Sequence, residues 1–167
     1  MECHACRLRE NCRAPVPGQG SIHDIMFIGQ APGKVEDKLN KPFVGPSGNY
    51  LRRAIQFKDY YITNVVKCYP PKDRAPFQDE IDTCVNLWLS KEIKFIKPKR
   101  IILIGQVAKN LKVFHPEIFG EIPTSEIEHP SYMALRQGRG DEWIEKMRNL
   151  IGIQTQPIQK KTLDKFL

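Results

Sequence analysis

The stretch DIMFIGQAPGKVED, residues 24–37, carries the reading on which the fold turns. From Asp24 to Gly29 it is an apolar run ending on glycine, about as long as a strand buried on both faces of a parallel sheet. Gln30-Ala31-Pro32-Gly33 breaks that run with turn residues, and Glu36 and Asp37 fall where acidic side chains suit the start of a helix. Two further runs share this build, Tyr60 to Val66 and Arg100 to Gly105. Between them lie a short helix over Pro46 to Phe57 and a longer one over Gln78 to Ile96, in which Ile81, Val85, Trp88 and Ile96 recur at helical spacing. A last helix from Asp141 to Ile151 gathers Ile144, Met147, Leu150 and Ile151 on one side behind an acidic first turn. Strands alternating with helices predict an α/β sandwich. Phe27-Ile28-Gly29-Gln30 and Leu103-Ile104-Gly105-Gln106 look alike as two strand ends turning on glycine, not as a repeat.

A chain of 167 residues, 41% hydrophobic, has the size of one domain. That domain is predicted to span residues 1–151, with 152–167 a flexible tail lacking sustained periodicity. Lysine and arginine number 26 against 19 aspartate and glutamate, a net charge of +7 that favours polyanionic partners. Residues Met1 to Glu10 lack the apolar core of a signal peptide, and no apolar run is long enough to span a bilayer. The expectation is a cytoplasmic monomer with no membrane partner.

Five cysteines in a reducing compartment argue against a disulfide framework. Cys3 and Cys6 form a CxxC pair, and Cys68 and Cys84 are its natural distant partners. Four thiolates suit zinc or a 4Fe-4S cluster, and spacing alone leaves both open beside the reading of buried, unligated cysteines. Cys12 is left over as a free or buried thiol, or as a substitute for one of the four.

In an open parallel sheet, ligands gather where the carboxyl ends of the strands meet their loops. The first loop runs Gly29-Gln30-Ala31-Pro32-Gly33 and continues through Lys41-Pro42-Phe43-Val44-Gly45-Pro46-Ser47-Gly48; it lacks the GKS/T ending of a phosphate-binding Walker loop. At the end of the second strand Asn64 places an amide, able to donate and accept together, inside an apolar run, unless it serves only a local turn. His129, in Glu128-His129-Pro130-Ser131-Tyr132, puts an imidazole on a loop.

Taken together, these segments resemble the family-4 uracil-DNA glycosylases. Their GEAPGxxED, PFVGxxG and YITNVVKCxPP motifs, a strand ending in glycine and an HP motif appear here in order, with the CxxC…C…C pattern around them, covering roughly Cys3 to Arg136. The resemblance implies a three-layer α/β/α sandwich around a central, mostly parallel four-stranded sheet, and a 4Fe-4S cluster on Cys3, Cys6, Cys68 and Cys84, of structural role. It implies that Phe43 stacks on a flipped uracil, that Asn64 reads its pairing edge, that the Gln30-Ala31-Pro32 backbone lines the pocket and that His129 faces uracil O2. Gln30 and His129 are then the catalytic candidates, and Ser47, Ser131 and Arg136 the candidate DNA contacts. The implied activity is monofunctional removal of uracil from DNA, leaving an abasic site.

Two departures stand out. Gln30 replaces the family's glutamate, so that position supplies no carboxylate, although it can orient a water; Glu36 and Asp37 are the neighbouring alternatives. The stretch from Ala108 to His129 is shorter than in the family and lacks its arginine-glycine strand, which predicts a trimmed sheet edge. After His129, Met133 or Leu135 is placed either to wedge into the duplex or to pack in the core. The last residues resemble a sliding-clamp (PCNA) interaction peptide of the archaeal kind, with Leu163, Phe166 and Leu167 as its hydrophobic plug. Against the enzyme stand two rival readings: a catalytically weak iron-sulfur DNA-binding module recruited to the clamp, supported by Gln30, and a redox carrier built on the cluster.

Overall fold

The computed structural model describes residues 3–22, 24–56 and 60–153. Four strands, β1 (Ile25–Gly29), β2 (Tyr61–Asn64), β3 (Arg100–Ile104) and β4 (Thr124–Ile127), form one sheet in the order β2-β1-β3-β4, with every pair parallel. Helices α1 (Lys34–Leu39) and α2 (Pro46–Ala54) follow β1. Helices α3 (Gln78–Cys84) and α4 (Ser90–Ile96) lead to β3, α5 (Gln106–Phe114) follows it, and α6 (Gly140–Ile151) ends the domain. The α/β class, the layering and the parallel sheet are as the sequence predicts.

Side chains alternate across the sheet, and this alternation builds two cores. Met26, Ile28, Ile101 and Leu103 pack with Ile81, Val85, Leu89 and Ile93 on one face. Phe27, Ile62, Ile102 and Ile104 pack with Leu51, Trp143, Ile144 and Met147 on the other. The indole of Trp143, fully buried, donates to the Glu128 carbonyl at 2.7 Å, tying α6 to the loop after β4. The free edge of β2 is covered by an incoming segment: Gln19 and Ile62 exchange backbone hydrogen bonds of 2.9 and 2.8 Å, and Val16 N–H donates to the Lys67 carbonyl at 2.6 Å. That cover removes an aggregation-prone edge.

Two details differ from the sequence reading. Gln78 to Ile96 is not one regular helix, because Val85–Leu89 is a π-helical turn between α3 and α4. The wider turn places Leu89 and Ile93 in the core and leaves Trp88 half-buried. The stretch from Ala108 to His129 keeps an edge strand, β4, which the sequence hides because only Ile127 of its four residues is buried. Gly152 closes α6 in the left-handed conformation (φ 75), and Ile153 N–H donates to the Arg148 carbonyl at 2.9 Å. Phe57, at the expected end of α2, and the clamp-peptide residues Leu163, Phe166 and Leu167 lie outside the described residues. No helix among the described residues is long and apolar enough to cross a membrane.

Candidate active site

The carboxyl ends of β1, β2 and β4 open onto one cleft of about 550 Å³, whose lining includes Gln30, Ala31, Pro32, Phe43, Asn64 and His129. All six residues expected to meet a base are therefore brought together. The register explains why: Gly29, the last residue of β1, stands opposite Asn64, the last of β2. Asn64 is 3% exposed, yet its side-chain amide makes no hydrogen bond to any described residue and lines the cleft. The amide is open to the cleft, where a ligand can pair with it.

Phe43 is held against this amide by three devices. Its backbone adopts φ 53, a left-handed conformation uncommon outside glycine. The Arg52 side chain donates from Nε to the Phe43 carbonyl at 2.9 Å and from Nη2 to the Pro42 carbonyl at 3.0 Å. Two glycines admit the residue: a Cβ on Gly29 would stand 2.3 Å from Phe43 Cζ and 2.7 Å from Asn64 Oδ1, and one on Gly48 would stand 2.2 Å from the Phe43 carbonyl carbon. The glycines of the first loop thus serve close approach.

Glu36 and Asp37 sit inside α1, and neither caps it. Glu36, nearly buried, accepts backbone N–H bonds from Val44 at 3.0 Å and Gly45 at 2.7 Å, so its carboxylate fixes the loop that carries Phe43. Asp37 accepts from the backbone of Arg13 at 2.9 Å and does not line the cleft. Glu36→Ala is expected to lower unfolding stability by about 1.5–3 kcal/mol, the range for a charged hydrogen bond. Glu36→Gln, which keeps one acceptor oxygen, is expected to lose less; urea titration of the three proteins checks the order.

His129 has a defined tautomer. The backbone N–H of Ser131 points at Nδ1 from 3.2 Å and can only donate, so Nδ1 accepts and the neutral ring carries its proton on Nε2. The Ser131 hydroxyl lies 2.7 Å from the same nitrogen. Burial lowers the His129 pKa below the ordinary histidine value, with the Glu36 charge acting more weakly in the opposite sense. The cleft therefore contains a neutral imidazole with one N–H to offer.

Of the remaining expected residues, Ser47 lines the cleft near the start of α2, Ser131 is bonded to His129, and Arg136 is exposed at the end of the π-helical segment Ser131–Arg136. Met133 is buried in the core, whereas Leu135 is 52% exposed and lines the cleft. Sequence reasoning missed the opposite rim, formed by Pro70, Asp73 and Arg74. Lys72 and Asp73 there both have positive φ, and Arg74 is clamped by Glu80 at 2.8 and 2.7 Å and lies 4.0 Å above the Phe77 ring. The one signal was the Pro-rich, basic run that follows Cys68.

On the other side of Asn64, Lys67 is buried and donates to the Asn64 carbonyl at 2.7 Å, Thr63 Oγ1 at 2.6 Å and Glu92 Oε2 at 2.6 Å. Its own N–H donates to Cys84 Sγ at 3.3 Å. Cys3, Cys6, Cys68 and Cys84 line a single cavity here, together with Arg9 and Trp88. Burial, then Cys12, raises the pKa of the Cys68 thiol, and burial raises that of Cys84 to about 11. Such thiols become thiolates when a cation joins them. Among the described residues, no three Cys, His, Asp or Glu side chains are close enough to grip one ion. Cys12 is buried and does not line the cavity.

The chain is similar to proteins of known family. Residues 17–151 match the family described as the uracil DNA glycosylase superfamily. The chain is 44% identical over 112 residues to a type-4 uracil-DNA glycosylase of Saccharolobus solfataricus, covering 63% of this chain and 51% of the relative. It is 38% identical over 112 residues to one of Pyrobaculum aerophilum, covering 64% and 57%. It is 39% identical over 113 residues to one of Thermotoga maritima, covering 64% and 58%. The chain thus spans a little over half the length of the curated relatives it matches. With the matched stretch running from the segment that covers β2 to the end of α6, through every strand that feeds the cleft, the chain belongs to the uracil DNA glycosylase superfamily.

Proposed function

We propose that this protein removes uracil from DNA by hydrolysing the bond between the base and its sugar, leaving an abasic site for repair. The observation that carries this reading is the amide of Asn64, open to the cleft, beside Phe43 and a neutral His129. An extruded base loses a few kcal/mol of stacking, which an aromatic plane and edge hydrogen bonds offset. Asn64 pairs with the uracil edge; cytosine presents a donor where uracil presents an acceptor, and a fixed amide rejects it.

In the chemical step the bond from sugar C1′ to uracil N1 breaks with its electron pair moving onto the base. The sugar becomes oxocarbenium-like, and the Nε2–H of His129 stabilises the negative charge growing on uracil O2. A water oriented by Gln30 adds to C1′ and releases its proton to solvent. One oxygen of Glu36, Oε1, accepts both N–H bonds of the Phe43 loop, and Glu36 also lines the cleft, while position 30 lacks the carboxylate that the family places there. Ser47 and Arg136 meet phosphates, Ser131 meets DNA while orienting His129, and Leu135 fills the space the base has left.

Cys3, Cys6, Cys68 and Cys84 hold a 4Fe-4S cluster, which cross-links the N-terminal segment to α3 and to the loop after β2 and takes no part in the reaction. The domain acts as a monomer, with the chromosome. Leu163, Phe166 and Leu167 dock on a sliding clamp; removing residues 160–167 is expected to abolish binding to an archaeal-type clamp ring in a pull-down while excision continues unchanged.

The test is incubation of the full chain with a labelled oligonucleotide carrying one uracil, followed by alkali. Strand cleavage that needs alkali supports a monofunctional glycosylase. Tight binding without cleavage would instead support the DNA-binding module recruited to the clamp, the reading Gln30 favours. The rate should also depend on pH. Protonating His129 would set an Nδ1–H against the Ser131 N–H, so excision is expected to be constant above about pH 6.5 and to fall in more acid solution. Stability moves the same way: below about pH 6.5 the unfolded chain takes up a proton that the folded chain resists, so stability falls as pH falls. Single-turnover rates and urea midpoints across pH measure both.

A further inference from the structure

Among the described residues, two buried side-chain polar atoms lack a hydrogen-bond partner, Arg9 Nε and Trp88 Nε1. Both residues line the cavity shared by Cys3, Cys6, Cys68 and Cys84. A buried N–H without an acceptor costs about 1–3 kcal/mol, and two such groups in one wall mark an acceptor that belongs there. Both groups can only donate, so neither Lys67 nor the other can satisfy them.

The chain holds each donor in place. Arg9 is anchored by Nη1, which donates to the Cys12 carbonyl at 3.0 Å. Trp88 lies within the π-helical turn Val85–Leu89, which begins directly after Cys84. Single π turns are rare and concentrate at functional positions. The cavity also shows this mode of bonding already, in the buried N–H of Lys67 donating to Cys84 Sγ at 3.3 Å.

Building on the cluster reading given above, we propose that Trp88 Nε1–H and Arg9 Nε–H donate hydrogen bonds to the sulfur atoms of the iron-sulfur group held by the four cysteines and set how readily it accepts an electron. Sulfides and thiolates are the acceptors that this cavity supplies when loaded. Donated hydrogen bonds favour the more negatively charged reduced state, so losing one lowers the reduction potential.

The experiment uses the full chain as purified. Iron and acid-labile sulfide are measured first; a protein carrying neither overturns the cluster reading and this proposal with it. Resonance Raman spectra of the loaded protein are then recorded in H₂O and D₂O, which needs no variant, and the iron-sulfur bands are expected to shift on deuteration. In Trp88→Phe and in Arg9→Lys that shift is expected to shrink. At a fixed potential the ratio of reduced to oxidised protein is expected to fall about tenfold for each variant, about 59 mV for a one-electron couple. Fully loaded protein with no deuterium shift, or variants with unchanged bands and unchanged potential, would overturn the donor assignment while leaving the cluster reading intact.

Discussion

His129→Ala is expected to excise uracil about 10²–10³-fold more slowly than the parent, the usual loss when a donor aimed at developing charge is removed. The imidazole has one N–H available, because Ser131 fixes the opposite nitrogen as an acceptor. That N–H matters most when the base carries negative charge, so the loss belongs in the single-turnover rate and not in affinity for the oligonucleotide. Asn64→Ala is expected to differ in kind. Asn64 reads the intact base as well as the departing one, so its removal weakens binding and rate together. Measuring both quantities for both variants separates the roles. A His129→Ala protein with the parental rate would remove the imidazole from the mechanism.

Glu92→Ala is expected to destabilise the domain by about 3–5 kcal/mol, since it strands the ammonium of Lys67 in the core. Lys67 is 1% exposed and meets Glu92 at 2.6 Å. Glu92 also accepts from the Thr63 hydroxyl at 2.9 Å and from the Tyr61 hydroxyl at 3.3 Å. Burial, followed by the Glu92 charge, accordingly raises the Tyr61 pKa. Replacing the pair together, as Lys67→Met with Glu92→Leu, is expected to recover most of the loss, because the charge left behind does the damage and not the missing attraction. Urea midpoints of the single and double variants test this. Excision by Glu92→Ala should also slow, because Lys67 braces the Asn64 carbonyl.

The fold was legible wherever burial was complete. Ile25 to Gly29 and Arg100 to Ile104 are continuous apolar runs because helices cover both faces, whereas β4 shows a single buried residue and passed for loop. The π-helical turn left no mark, since inserting one residue into a helix changes which side chains face inward without changing their composition. Within the cleft, Phe43, Asn64 and His129 were legible through chemistry at strand ends. Glu36 was visible as a carboxylate, yet its partners are backbone N–H groups eight and nine residues away, set by a loop conformation that no local pattern encodes. Asp73 and Arg74 reach the rim through consecutive left-handed residues that are not glycine, against local preference.

The pairing of Gly29 with Asn64 across β1 and β2 has a consequence for work with refolded material. Side chains on a strand alternate between faces, so a slip of one residue would send Asn64 to the wrong side and bring Thr63 or Val65 to the position it should hold. Such a product would keep its helices, its sheet and most of its circular dichroism. It would lack the Asn64 amide at the pairing edge of the base. Turnover per folded chain is therefore a gauge of strand alignment in a preparation, and a sharper one than any spectrum of secondary structure.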